Sequence, residues 1–281
     1  MKIALSTPVV VQMPGVASAW ETTAGPEELT QVARTAEELG FDHLTCSEHI
    51  GVPSEAARMR GAPYWDPLAT LSFLAAHTSR IRLATSVLVA AYHHPLAVAK
   101  RYGTLDRLSG GRVVLGVGVG SLREEFALLG ADWEGRGGAA DHFLDAVRAA
   151  WGQAEVDGFT IEPHATSTRV PLWIGGRSAR SLRRALEHGD GWVPFGLRPA
   201  ELAEMLGAVD VPGGFEVVLS PGRPLDPSGD AEGALRRLTA LRDAGATVAT
   251  CAITASDVDD YCAQLGRLAD LAASIPQREE S

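Results

Sequence analysis

Cysteine is nearly missing from this chain: 281 residues hold three, Cys46, Cys251 and Cys262, with no CxxC pair and no His/Cys cluster at metal-ligand spacing. An odd, unclustered set argues against a disulfide framework or a structural metal site, and it fits a reducing cytoplasm, the expected location. Lysine is scarcer, with only Lys2 and Lys100. An aldolase-like barrel needs a Schiff-base lysine, and neither of these is a convincing one. Long apolar runs are absent as well. No stretch reaches the roughly 20 residues that cross a bilayer, and MKIALSTPVV reads as a first strand with no targeting signal. Positive charge is in deficit. A formal net charge of −10, with the basic residues spread along helices, sets most of the surface against nucleic acid. The partners left are small molecules or another copy of the chain.

What the chain has is apolar residues in short, regularly spaced blocks. At 46% hydrophobic it can bury a sizeable core as one domain, residues 1–281, without metals or disulfides. Eight β-branched or apolar runs read as strands: residues 2–7, 42–46, 81–87, 112–118, 171–175, 190–194, 215–220 and 247–253. Amphipathic segments lie between them, among them PEELTQVARTAEELG, WDPLATLSFLAAHTS and HPLAVAKRYGTLDRLSG, several opening on Pro, Asp or Ser and closing on Gly. Strands each followed by a helix pair in parallel through right-handed crossovers. Eight of them close into a (β/α)8 TIM barrel, with a doubly wound open sheet as the alternative.

In such a barrel the chemistry sits just after each strand. Strand one is followed by Ser6, Thr7 and Pro8. After strand two comes SEHI, which brings Glu48 and His49 to the rim, where an imidazole can give a proton or hydrogen bond to a bound ring. A rim histidine that only bonds a carbonyl is the alternative. Strand three ends at Ser86 and Val87. His93 and His94 beyond it read as helix-start or surface residues, spaced unsuitably for a metal.

Two glycine-rich segments stand out. In IGGRSARSLRRALEHGDGW, residues 174–192, Gly175 and Gly176 let the backbone approach a ligand. Ser178 caps a helix whose first N–H groups face outward, and Gly189 ends it. This is an anion site or an ordinary strand-to-helix turn. In GVGVGSLREEF, Gly116, Gly118 and Gly120 clear one face of strand four, either for a flat ligand or for close packing. A Rossmann fingerprint is excluded by Ser121, which stands where GxGxxG requires glycine. Together the two segments suggest a planar cofactor that carries phosphate.

The run HPLAVAKRYGTLDRLSGGRVVLGVGVGSLREEF, residues 94–126, resembles the signature of the luciferase-like flavin monooxygenase superfamily, particularly its coenzyme F420-dependent oxidoreductases. FDHLTCSEHI, YWDPLATLSFLAAHTSRIRLATSV, WEGRGGAADHF and PLWIGGRSARSLRRALEHGDGWVP extend the likeness, and LRRLTALRDAGATVATCAI carries a weaker one toward the C-terminus. The resemblance implies a homodimeric barrel binding F420, or alternatively FMN, at the strand ends, with hydride passing between ring and substrate. It places His49 at the reactive face with Glu48 beside it. Ser86 and Val87 fall on a third-strand bulge, often a non-prolyl cis peptide, behind the ring. Gly118 and Gly120 fall on the fourth-strand wall. Thr7 belongs with these cofactor-binding positions, and Gly175, Gly176, Arg177, Ser178 and Ala179 match the phosphate turn.

Three departures qualify that picture. Ser121 stands where sugar-phosphate dehydrogenases of this group carry an acidic base, which argues against sugar-phosphate oxidation. Asp141-His142 replaces an Asp-Glu pair. SPGRPLDPSGD, residues 220–230, is short where many relatives insert a lid, which predicts a shallow pocket or one completed by a partner subunit. A non-catalytic cofactor-binding barrel is the reading from a different functional class.

Overall fold

The computed structural model describes residues 1–276; positions 277–281 of the expected single domain lie outside the described residues. In chain order the strands are β1 (Lys2–Leu5), β2 (His43–Cys46), β3 (Arg82–Val89), β4 (Val113–Gly118), β5 (Glu155–Val156), β6 (Phe159–Thr160), β7 (Leu172–Gly175), β8 (Gly191–Val193), β9 (Glu216–Leu219) and β10 (Val248–Cys251). All but β5 and β6, a separate antiparallel hairpin, close one parallel barrel in the order β1-β2-β3-β4-β7-β8-β9-β10. Closure is made by β10 lying along β1, from Lys2 opposite Val248 to Leu5 opposite Cys251. The eight expected strands are all present. The open-sheet alternative is overturned by that last pairing.

Among the described residues ten α-helices wrap the barrel: α1 (Pro26–Glu38), α2 (Ser54–Arg60), α3 (Pro67–His77), α4 (Pro95–Ser109), α5 (Arg123–Leu129), α6 (Arg136–Ala150), α7 (Ala179–His188), α8 (Pro199–Gly207), α9 (Ala231–Asp243) and α10 (Val258–Ala273). Their ends follow local chemistry. Asp66, Asp230 and Asp257 each accept a backbone N–H from the first turn of the helix they precede, and Pro67 and Pro95 open α3 and α4. Gly110 ends α4 with a left-handed φ of 72°. Among the described residues, no helix is long and apolar enough to cross a membrane.

The main core lies between strands and helices, and a smaller one fills the barrel axis. There Trp173 is surrounded by Ala4, Ala84, Val114, Val218 and Val248, small side chains that leave room for the indole. Below it, at the N-terminal end of the strands, the axis is plugged by charge. Arg82 bridges Asp42 and Glu216, lies 5.2 Å from the Trp173 ring centre, and shares Glu216 with the indole N–H. The fully buried His43 completes the plug, with Nδ1 2.9 Å from Asp42 and Nε2 3.1 Å from Thr250 Oγ1.

Candidate active site

Strand β3 departs from regularity where the site begins. Its register with β4 slips between Thr85 and Leu88, and the Ser86–Val87 peptide is cis. The bulge pushes Val87 sideways into space that three glycines leave open. A Cβ added to Gly118 would meet a Val87 methyl at 2.6 Å, and one added to Gly175 would meet another at 2.9 Å. A Cβ on Gly116 would strike the Thr85 carbonyl. Gly120, at φ 83°, leaves room for Phe126 and for Val89, which a Cβ would meet at 2.9 Å. The fourth-strand glycines are thus cleared for protein side chains. Gly118 and Gly120 also line the cavity at the barrel mouth, beside the wall that Val87 presents.

At the end of β2 the two expected catalytic residues take different partners. Glu48, 5% exposed, accepts the Val89 N–H at 2.8 Å on one oxygen and lies 2.7 Å from His93 Nε2 on the other. Its carboxylate therefore ties β2 to the far end of the bulge. His49 turns to Glu125, with Nδ1 2.8 Å from Oε2, and meets the edge of Tyr64 with ring centres 4.6 Å apart. Glu125 is 1% exposed and also accepts the N–H groups of Ile50 and Gly51 and the Tyr92 hydroxyl. Burial, with the Glu125 charge beside it, pushes the Tyr92 phenol well above its ordinary range, so the hydroxyl keeps its proton and donates. With Nδ1 committed to Glu125, the free imidazole nitrogen is Nε2.

The third part is the turn after β7. Ser178 caps α7: its hydroxyl accepts the Ser181 N–H at 3.3 Å, and the Ser181 hydroxyl accepts the Ser178 N–H at 3.1 Å. The N–H groups of Ala179 and Arg180 have no acceptor among the described residues, which is the expected state of a first helical turn. Gly176, at φ 129°, has Ser181 where a Cβ would go, so only glycine makes this turn. Gly189 ends the helix by donating to Ala185, as the sequence suggested. Arg184 pairs with Asp141 of α6, which anchors α7 from behind and accounts for the aspartate at that position.

These parts surround a cavity of about 620 Å³ at the C-terminal mouth of the barrel. Of the expected residues, Glu48, His49, Ser86, Val87, Gly118, Gly120, Gly175 and Gly176 line it, and so do Ser6 and Ser121. Thr7 does not. It is 3% exposed and its hydroxyl accepts the Thr45 N–H, joining β1 to β2. Arg177, Ser178 and Ala179 lie exposed at the mouth, outside the cavity wall. The 220–230 loop contributes Gly222, Arg223 and Pro224 to the wall, held in place by Arg237 bonds to the Pro221 and Pro224 carbonyls.

Two members of this site escaped the sequence. Glu125 lies three residues after Leu122 and just before Phe126, an acid beside an inward-facing apolar face, and that was its one signal. His93 and His94 were read as helix-start or surface residues; His94 caps α4 through its Nδ1, whereas His93 turns to Glu48.

The model of the luciferase-like monooxygenase family matches residues 1–211. An uncharacterized protein of Mycobacterium tuberculosis is 32% identical over 183 residues, 57% of this chain and 65% of that protein. An F420-dependent glucose-6-phosphate dehydrogenase of Amycolatopsis mediterranei is 36% identical over 181 residues, 60% of this chain and 53% of the dehydrogenase. The chain thus spans between half and two thirds of the length of these relatives. Among solved structures, the monooxygenase RslO1 of Streptomyces bottropensis superposes with a TM-score of 0.73 at 21% identity, over 97% of this chain and 99% of its own. An F420-dependent secondary alcohol dehydrogenase bound to an F420–acetone adduct superposes at 0.68 and 17%, over 96% and 98%. Those two likenesses bear on the fold. The barrel and the family match over residues 1–211 together make this chain a member of the luciferase-like monooxygenase family.

Proposed function

We propose that this protein is an F420-dependent oxidoreductase that passes a hydride between the deazaflavin and a small organic substrate. The observation that carries this reading is the joint geometry of the mouth: the Val87 wall seated on glycines, His49 with one nitrogen free, and the open first turn of α7, all around one cavity. The residues fit such a group. A flat ring has a wall to rest on, and a phosphate has the N–H groups of Ala179 and Arg180 with Arg177 beside them. Preference for deazaflavin over FMN draws on the F420-dependent dehydrogenases among the curated relatives.

When bound, the cofactor supplies the redox chemistry. The chain's own part is to orient and to manage a proton. Val87 fixes the depth at which a ring lies. Glu125 holds His49 so that Nε2 is available to give a proton or hydrogen bond near the reacting atoms, and Glu48 keeps the bulge in place through the Val89 N–H. Ser121, in the place of an acidic base, directs the reading away from sugar phosphates. Soluble homodimers in the cytoplasm belong to the same proposal.

Titration of the apoprotein with F420 and with FMN, followed by fluorescence, tests the cofactor. Tight F420 and weak FMN binding is expected. The reverse preference moves the protein to FMN-dependent monooxygenation, and binding of neither leaves a cofactor-free barrel. His49→Ala is expected to lower turnover by about 10²–10⁴ while leaving F420 affinity nearly unchanged. Full turnover would remove the role.

A further inference from the structure

Partly buried arginines in this fold find partners. Arg82 bridges two carboxylates, and Arg112 donates to the Thr78 hydroxyl and to the carbonyls of Ala75, Thr78, Ile81 and Ser109. Arg148 pairs with Asp190, Arg184 with Asp141, and Arg237 takes three loop carbonyls. Arg60 breaks the rule. It is half-buried in the cavity wall, and its guanidinium has no hydrogen bond or ion pair among the described residues. A half-buried guanidinium with no protein partner has its donors left for water or for a ligand in the cavity.

The chain fixes where Arg60 stands. It ends α2, and the following Gly61, at φ 78°, lies so close to the Gln12 carbonyl that no side chain fits. Val11 bridges Tyr64 across the same junction, and the Tyr64 hydroxyl donates to the Arg60 carbonyl at 2.9 Å. The Tyr64 ring in turn meets His49. Burial pushes the Tyr64 phenol up and the Arg60 charge acts against that push, which places the guanidinium within electrostatic reach of the hydroxyl. The surrounding wall is apolar: Val11, Met13 and Val16. Arg58 and Arg60 both stand in the last turn of α2, where cations are favoured, but Arg58 is exposed and outside the wall whereas Arg60 is half-buried in it.

We infer that Arg60 reads a carboxylate on the substrate, whose apolar body lies along Val11, Met13, Val16 and Tyr64 toward His49. The inference rests on the proposed function for the word substrate and on the cavity alone for the ligand class. One planar guanidinium fork matches one carboxylate. A phosphate has the open N–H groups of the α7 turn as its own site elsewhere. Both carboxylates of the wall are engaged, Glu125 by four donors and Glu48 by two, and of the two wall cations Arg223 is exposed whereas Arg60 is half-buried beside the tyrosine that meets His49.

The test compares 4-phenylbutyrate with 4-phenylbutanamide, matched in shape and differing in charge, by calorimetry on F420-loaded protein. The acid is expected to bind at least tenfold tighter than the amide. Arg60→Gln should abolish that difference and leave amide affinity unchanged, while Arg223→Gln, at the other cation of the wall, should preserve it. Equal binding of acid and amide by the parent protein overturns the inference, and so does loss of the preference in Arg223→Gln with retention in Arg60→Gln. A parallel F420 titration separates the two sources of an anion. Unchanged F420 affinity in Arg60→Gln supports the substrate assignment; a tenfold loss means that Arg60 holds the cofactor's own anionic tail and overturns it. If F420 binds neither parent nor variant, the proposed function fails, and the acid–amide comparison on the same proteins still decides the role of Arg60.

Discussion

Both ends of this barrel bury carboxylates, yet they satisfy them in opposite ways. At the N-terminal end Asp42 and Glu216 face the permanent charge of Arg82, with Lys2 3.1 Å from Asp42 at the edge. Burial raises both acids, and Arg82, with His43 on Asp42, more than reverses it, leaving both below the ordinary carboxylate range. At the C-terminal end Glu48 and Glu125 accept from backbone N–H groups, a phenol and two imidazoles, with no lysine or arginine among their partners. One end locks its charges together. The other holds its acids with groups that also hold loops, and leaves a histidine nitrogen and an arginine free for a ligand.

That contrast breaks first at the bottom. Arg82→Met leaves the half-buried Asp42 and Glu216 with the exposed Lys2 as their remaining lysine or arginine partner among the described residues, beside the fully buried His43, and is expected to cost up to about 3–5 kcal/mol in urea denaturation, with the proposed F420 affinity of the remaining folded protein unchanged. A loss of affinity matching the loss of stability would mean that the two ends are one unit. Next comes the wall between them. Gly175→Ala forces a Cβ against Val87 and is expected to cost about 1–3 kcal/mol and to weaken the proposed F420 binding. Adding Val87→Ala should restore much of the stability, because it removes the methyl that clashes; no recovery would show that the glycine serves the backbone instead. The smallest effect lies at Glu37, which accepts the N–H groups of Ser79, Arg80 and Ile81 ahead of β3. Burial pushes its carboxyl up, and those three N–H groups outweigh it, drawing it down to about 2. A depressed folded value stabilises above the unfolded one and fades as pH falls. The parent should therefore exceed Glu37→Gln by no more than about 1 kcal/mol at pH 7, a gap that narrows from about pH 5 toward pH 3. A gap that widens with acid would reverse the assignment.

The legible parts of the sequence were those written in local patterns. Every barrel strand announced itself by an apolar or β-branched run, and the caps of α3, α4, α7, α9 and α10 by one polar residue each. The α2 helix gave no such sign: its seven residues are all at least partly exposed, so no apolar stripe marks it. The β5–β6 hairpin is too short for a period of two to register. At the site, His49 and the α7 turn could be read because strand ends and diglycine turns are local features. Glu125 could not, because its partner lies 76 residues away and nothing in LREEF says which acid turns inward. The glycines of β4 were read as space for a flat ligand or for close packing. Gly118 packs against Val87, an arrangement that depends on a bulge in the neighbouring strand, and it also lines the cavity.

Because Gly116, Gly118 and Gly175 stand behind Val87, the floor of the pocket can be varied in one direction only. Trimming Val87 deepens it at no cost to the backbone behind, whereas any growth beneath it drives the wall toward the mouth. For anyone altering which ring this barrel accepts, the side chain is the adjustable part and the absent β-carbons are the fixed stop.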